Sequence, residues 1–143
     1  MFRSLDFNIE QYENDDYDDA WIDSGAQEVS IYCLNDFTED DWKKFYEEVP
    51  KKSTGWKIRF VDCITDDHSG SEQLKALLYL TNTDDMELLT RIIDRLLCSD
   101  DLDLPKDIED LGMSVVYDRV KKMLPVATGG YQELLNRFLE TNK

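Results

Sequence analysis

The stretch "WKIRFVDCIT", residues 56–65, determines whether the N-terminal half of the chain contains a sheet. Apolar Trp56, Ile58 and Phe60 alternate with two basic residues, and such alternation is typical of a strand that buries one face. From residue 61 onward both faces become apolar. The sequence therefore predicts a strand here, paired with a second strand at 28–34.

The second stretch, "EVSIYCL" at 28–34, is rich in β-branched and aromatic side chains, which favour strands. Between the two strands, "FTEDDWKKFYEEV" at 37–49 has the pattern of a helix. Thr38 is placed as its N-cap, and Asp41 follows three residues later, which is a capping box with Asp in place of Glu. Apolar residues then recur at helical spacing, and Pro50 ends the helix.

These elements predict an α+β fold in one domain, residues 1–143, with a small N-terminal antiparallel sheet packed on the helix and a mainly helical C-terminal half. Residues 1–10 alternate loosely and are interpreted as a third short strand or an ordered arm. The segment 72–82 is ambiguous, and its Leu, Ala, Gln and Lys content favours a helix over a strand. As a strand it would give the alternative fold, a ferredoxin-like β-α-β-β-α core with extra C-terminal helices.

Three further helices are predicted in the C-terminal half from apolar residues at helical spacing. They cover residues 83–97, 108–124 and 131–140, and the connecting turns and loops cover 66–71, 98–107 and 125–130. Thr83 is the predicted N-cap of the first of these helices.

The charge of the chain is strongly negative and unevenly distributed. The formal net charge is −16: residues 1–50 hold 15 acids and 3 bases, a net of −12, and residues 51–143 hold 17 acids and 13 bases, a net of −4. Such a field repels nucleic acids and anionic membrane surfaces and attracts basic proteins. We therefore expect a basic protein partner, no nucleic acid and no membrane; charge that only maintains solubility is the alternative.

Sequence motifs for catalysis or metal binding are absent. No register of the acidic segments supplies the Gly and Glu that a calcium-binding EF-hand loop needs together. The single histidine, His68, and three dispersed cysteines give no zinc-ligand pair. Neither a nucleophile elbow nor a phosphate-binding loop occurs. We expect no enzyme activity, no metal site and no cofactor.

The location expected from the sequence is the cytoplasm. No apolar run reaches the length of a membrane span, and residues 1–14 lack the apolar region of a secretory signal. The cysteines Cys33, Cys63 and Cys98 are odd in number and have apolar neighbours, which indicates reduced, buried thiols.

The residues expected to contact a partner lie in "QYENDDYDDAWIDSG", residues 11–25, within an acidic arm that covers about residues 11–27. Six of these fifteen residues are Asp or Glu, and none is Lys or Arg. Tyr and Trp often anchor protein interfaces, and carboxylates around them would pair with Lys and Arg of a partner. The candidate partner-binding residues are Tyr12, Asp15, Asp16, Tyr17, Asp18, Asp19, Trp21 and Asp23. Alternatively, the three aromatic residues pin the arm to the core while the acids face water.

A small, acidic, single-domain chain without a catalytic motif resembles the bacterial immunity proteins of polymorphic or contact-dependent toxin systems. "FTEDDWKKFYEEV" at 37–49 and "DHSGSEQL" at 67–74 are similar to the capped helix and the Ser-Gly turn of colicin-nuclease immunity proteins. "YDRVKKMLPVATGGYQELLNRFLETNK" at 117–143 is similar to helical immunity families that end in a pair of helices. The two predicted strands depart from the compact four-helix fold of the colicin immunity proteins.

The resemblance implies a cytoplasmic immunity protein that binds and neutralises a basic toxin domain, above all a nuclease, through the acidic aromatic surface. It is a resemblance to the class, and no residue role is carried over from it. Two other classes stay open: a nucleic-acid mimic that inhibits a DNA-binding enzyme, and a generic protein-interaction adaptor. A mimic would array its acids along elongated helices, whereas here they are concentrated in one segment beside aromatic residues.

Overall fold

The structure, a computed structural model, describes residues 1–65, 71–98 and 103–142. In these residues it contains ten α-helices and no strand. The predicted α+β fold with an N-terminal sheet is therefore wrong, and so is its ferredoxin-like alternative. The predicted turn at 66–71 lies almost entirely outside the described residues, and so does part of the predicted loop at 98–107.

The helices fall into two compact units, Met1–Glu72 and Gln73–Lys143. The first unit contains α1 (Phe2–Glu10), α2 (Asp19–Asp23), α3 (Ala26–Asn35), α4 (Glu39–Glu48) and α5 (Thr54–Asp62). The boundary falls in α6 (Ser71–Leu80), and the second unit contains α7 (Met86–Leu97), α8 (Leu104–Asp110), α9 (Val115–Met123) and α10 (Gly130–Glu140). Short 3₁₀ turns follow α4 at Val49–Lys51 and α9 at Leu124–Val126. The single domain stays a prediction.

Helix α5 replaces the strand predicted at 56–65. Ser53 is its N-cap, and the Ser53 Oγ accepts a hydrogen bond of 3.1 Å from the Trp56 N–H. The rings of Trp56 and Phe60 are both fully buried and stack one turn apart, with centroids at 5.6 Å. Positions 56 and 60 satisfy both a two-residue alternation and a four-residue helical spacing, so the pattern of apolar residues did not distinguish the two structures. The position that does distinguish them is Arg59, which is buried although the alternation placed it on an outer face.

Helix α3 replaces the strand predicted at 28–34. Its buried residues, Ser30, Cys33 and Leu34, follow helical i, i+3, i+4 spacing, and the face opposite to them is exposed. The β-branched content of the stretch favoured a strand locally, but packing of this face against α1 and α2 determines the structure.

Helix α1 takes the place of the strand or arm predicted at 1–10. Phe2, Leu5 and Ile9 are buried at i, i+3 and i+7, which is one face of a helix. The loose alternation in the sequence came from Phe7, which is exposed. Through its buried face α1 contacts α3, α4 and α5.

The helix predicted at 38–49 is confirmed as α4, together with its capping box. The Asp41 N–H donates to the Thr38 Oγ1 at 3.4 Å, and the Thr38 N–H donates to the Asp41 Oδ2 at 3.0 Å. The Asp41 Oδ1 also accepts the Phe2 N–H at 3.1 Å, which ties the start of α1 to α4. The Thr38 N–H bond, opposed by burial and assisted by the Phe2 N–H, lowers the pKa of Asp41 to about 2.

The helical prediction for the C-terminal half is confirmed, with shifted ends. α6 is a helix, and α7 begins after Asp85, whose Oδ1 accepts the Leu88 N–H at 2.8 Å, so that Asp85 and not Thr83 is the N-cap. The single helix predicted at 108–124 is broken at Gly112, whose φ of +67° ends α8 before α9 begins.

Candidate interaction surface

The two ends of the acidic arm are tied together by side chains. The Tyr12 hydroxyl donates to the Ser24 Oγ at 3.0 Å, and the Tyr12 and Trp21 rings lie 5.6 Å apart between centroids. Gly25, with φ of +82°, then turns the chain from α2 into α3. The arm is therefore a closed loop that includes one short helix.

Trp21 anchors this loop in the core. Its side chain is 0% exposed, and the Arg59 guanidinium lies 5.8 Å from its ring centroid, within the range of a cation–π interaction. Burial of a Trp removes a large apolar area from water. Trp21 thus holds the arm to the first unit and presents no surface to a partner.

Arg59 fixes the backbone of the arm. From its buried position on α5 it donates hydrogen bonds to the carbonyl oxygens of Tyr12 at 3.2 Å, Asp15 at 3.2 Å and Tyr17 at 3.1 Å. It also donates to the Asp18 carboxylate in an ion pair. A planar guanidinium has five N–H donors in a fixed arrangement, so one side chain orients the arm from residue 12 to residue 18.

The arm also rests on the first turn of α5. The Ser53 hydroxyl donates to the Glu13 Oε2 at 2.8 Å. The backbone of Glu13 lies against Gly55 so closely that a Cβ there would overlap the Glu13 carbonyl oxygen and lie 3.0 Å from its carbonyl carbon. Only glycine permits this approach. Further along the arm, the Gln27 Nε2 donates to the Asp62 carbonyl oxygen at 3.0 Å.

The structure places the eight predicted partner-binding residues in three environments. Asp15, Asp16, Tyr17, Asp19 and Asp23 are exposed, Tyr12 and Asp18 are partly buried, and Trp21 is buried. Tyr17 is the most exposed large apolar side chain among them, at 79%. The exposed set is therefore four carboxylates around one aromatic ring.

The charge of the surrounding sequence is not balanced by basic residues of the same region. Residues 4–42 contain thirteen acids and no Lys or Arg. Arg59 pairs with Asp18, and Lys52 lies 2.8 Å from the Asp6 Oδ1 and 3.5 Å from the Glu10 Oε1. Burial lowers the pKa of Lys52, but these two carboxylates outweigh it, and the net change is upward. Arg59 and Lys52 thus pair with Asp18, Asp6 and Glu10, and none of these ion pairs involves an exposed carboxylate of the arm at 15, 16, 19 or 23.

Sequence reasoning missed Arg59, Ser53 and Gly55 as the residues that form this surface. All three lie on or beside α5, and this segment was predicted as a strand and not as a helix. The sequence did contain a signal, namely an Arg between Trp56 and Phe60 in an apolar stretch. An Arg that is buried in such a stretch needs hydrogen-bond acceptors from another part of the chain.

Within residues 1–65, 71–98 and 103–142, no group of three or more His, Cys, Asp or Glu side chains is placed to hold a metal ion; His68 lies outside these residues. In the same residues, none of the helices has both the length and the apolar character that crossing a membrane requires. Cys33 and Cys63 are buried, Cys98 is exposed, and none of the three forms a disulfide.

Comparison with known proteins gives no match among protein-family models, curated proteins or solved structures.

Proposed function

We propose that this protein is a cytoplasmic immunity protein that binds a basic toxin domain, in the first instance a nuclease, and neutralises it. The acidic arm is the surface that meets the toxin. Association is driven by the exposed carboxylates, which attract Lys and Arg of the toxin and raise the encounter rate.

The observation that carries the proposal is the position of four carboxylates, those of Asp15, Asp16, Asp19 and Asp23, on an arm whose backbone is fixed by Arg59. Charge that serves only solubility needs no fixed arrangement and is equally effective in a loose tail. A fixed arrangement, in contrast, lowers the conformational entropy that is lost on binding. Tyr17, exposed beside these acids, adds an aromatic contact of the kind that anchors interfaces.

The proposal is tested through the gene beside the one that encodes this chain. An immunity protein predicts an adjacent gene for a large secreted protein with a basic C-terminal domain. Expression of that domain alone should stop cell growth, and co-expression of this chain should restore it. The proposal is wrong if no such gene is adjacent, or if the domain remains toxic in the presence of this chain.

A charge variant tests whether the arm carries the interaction. The variant combines four substitutions, Asp15→Asn, Asp16→Asn, Asp19→Asn and Asp23→Asn. It removes four exposed charges and leaves Asp18 and Arg59 unchanged. We expect association with the toxin domain to slow by about tenfold or more and to lose much of its salt dependence. The matched control removes four exposed carboxylates from the second unit, with Glu109→Gln, Asp110→Asn, Glu133→Gln and Glu140→Gln. Equal slowing in both variants would show that net charge matters and the arm does not.

A further inference from the structure

Helix α3 presents an outer face that is separate from the arm contacts described above. Its exposed residues are Glu28, Val29, Tyr32, Asn35 and Asp36, the last of which directly follows the helix. Tyr32 is 64% exposed and Val29 is 52% exposed. At 3.6 residues per turn these five positions fall within an arc of about 120°, so they form one continuous face.

The face has one aromatic side chain between two acidic residues along the helix axis. Tyr32 lies in the middle of the arc, with Glu28 one turn before it and Asp36 one turn after it. The opposite side of the helix, Ser30, Cys33 and Leu34, is buried in the first unit, which fixes the direction in which the face points. An aromatic side chain held on a rigid helix loses little conformational entropy on binding.

Charge complementarity identifies the occupant of this face. The face has two carboxylates and no cation, and the arm that leads into α3 adds more acid. A partner that covers Tyr32 and Val29 must therefore supply Lys or Arg beside an apolar patch, because uncompensated carboxylates in an interface are costly. Nucleic acid is repelled by the same carboxylates.

We propose that the outer face of α3 is the central contact for a basic, amphipathic protein surface, with Tyr32 as its anchor. The identity of the partner in this inference rests on the proposed function. The acidic arm and the outer face of α3 have different roles in binding it. The carboxylates of the arm steer the partner, and Tyr32 with Val29 determines how long it stays bound.

The test uses isotope-labelled full chain and a synthetic amphipathic helical peptide with one Leu face and one Lys face. A second peptide with every Leu replaced by Ser has the same charge. We expect the Leu–Lys peptide to bind about tenfold more tightly than the Ser–Lys peptide, with the largest NMR shift changes at Val29, Tyr32 and their neighbours.

Two tyrosine variants give the matched comparison. Tyr32→Ser should weaken the Leu–Lys peptide about tenfold, whereas Tyr131→Ser, at a tyrosine 46% exposed on α10, should leave its affinity unchanged. Both side chains are exposed, so neither variant should lower the melting temperature by more than a degree or two. Tyr32→Phe keeps the ring and should keep the affinity.

The outcomes separate this inference from the proposed function. Shift changes centred away from α3, or equal affinity of the two Ser variants, overturn the α3 face. Growth rescue by a Tyr32→Ser chain that is as strong as rescue by the wild-type chain would also overturn the α3 face as the central contact. Failure of the wild-type chain to rescue growth, together with peptide binding that depends on Tyr32, overturns the immunity function and leaves the α3 face standing.

Discussion

The acidic arm and helix α7 are both held firmly in their units, but by opposite means. α7 buries a continuous stripe of five aliphatic side chains: Leu88, Leu89, Ile92, Ile93 and Leu96. The arm buries one ring, Trp21, and is otherwise fixed by polar bonds, four of which come from Arg59. Stability is spread over many contacts in the first case and concentrated in a few in the second.

The difference explains how the arm can be ordered and highly charged at once. An aliphatic stripe commits the whole inner face of a helix to the core. A guanidinium on carbonyl oxygens fixes the backbone from beneath and leaves the side chains above it pointing to water. Substitutions at the few residues that hold the arm in place should therefore have larger structural consequences than their number of apolar contacts suggests.

The largest effect is expected from Trp21→Ala. Loss of a fully buried indole should lower the free energy of unfolding by about 3–5 kcal/mol. Tyr17→Ala in the same arm is the control, because Tyr17 is 79% exposed, and it should change stability by less than about 0.5 kcal/mol. Urea unfolding measures both. A neutral Trp21→Ala would mean that the ring does not anchor the arm.

Arg59→Met should cost about 3 kcal/mol, because removal of one partner leaves carbonyl oxygens and the Asp18 carboxylate without their donor. Lys57→Met, on the same helix and only partly buried, keeps every bond of the arm and serves as the control. Equal unfolding midpoints for the two variants would show that Arg59 does not stabilise the arm.

Gly55→Ala tests the contact between α5 and the backbone of the arm. The added methyl group overlaps the Glu13 carbonyl, so the arm must move, and we expect a loss of about 2 kcal/mol. Gly130→Ala adds the same methyl group at a helical glycine with nothing within 4 Å, and it should be neutral or stabilising by up to about 1 kcal/mol. A Gly55→Ala protein as stable as Gly130→Ala would contradict the close approach.

The smallest effect is expected at Asp41, which lies in neither the arm nor α7. It measures how much one capping carboxylate contributes to stability. Its pKa is about 2 in the folded chain against an ordinary value of 3.8, so its stabilisation is complete above pH 4 and is lost as the pH falls towards 2. We expect Asp41→Asn to cost about 1 kcal/mol at pH 6 and almost nothing near pH 2. Asp40→Asn, exposed in the same helical turn, is the control. A difference between wild type and Asp41→Asn that does not shrink in acid would contradict the assignment.

The sequence allowed helix α7 and the α4 capping box to be predicted because both depend on neighbours within one or two turns. The arm could not be predicted in this way. Its fixed conformation depends on Arg59, which lies 41 residues after Asp18, and on a glycine that only a tertiary contact makes necessary. The α3 face was missed for a related reason, since a strand at 28–34 would place Val29 and Tyr32 on opposite faces, whereas in a helix they share one face.

Hydrogen exchange of the arm's amides tests the central claim, that Arg59 fixes the acidic arm, most directly. The N–H groups of Asp15, Ile22 and Ser24 donate to backbone carbonyls within the arm. We expect these amides to be protected from exchange in the wild-type protein. In Arg59→Met they should exchange much faster, while the amides of α7 keep their protection. Unprotected arm amides in the wild type, or arm amides equally protected in Arg59→Met, would contradict it.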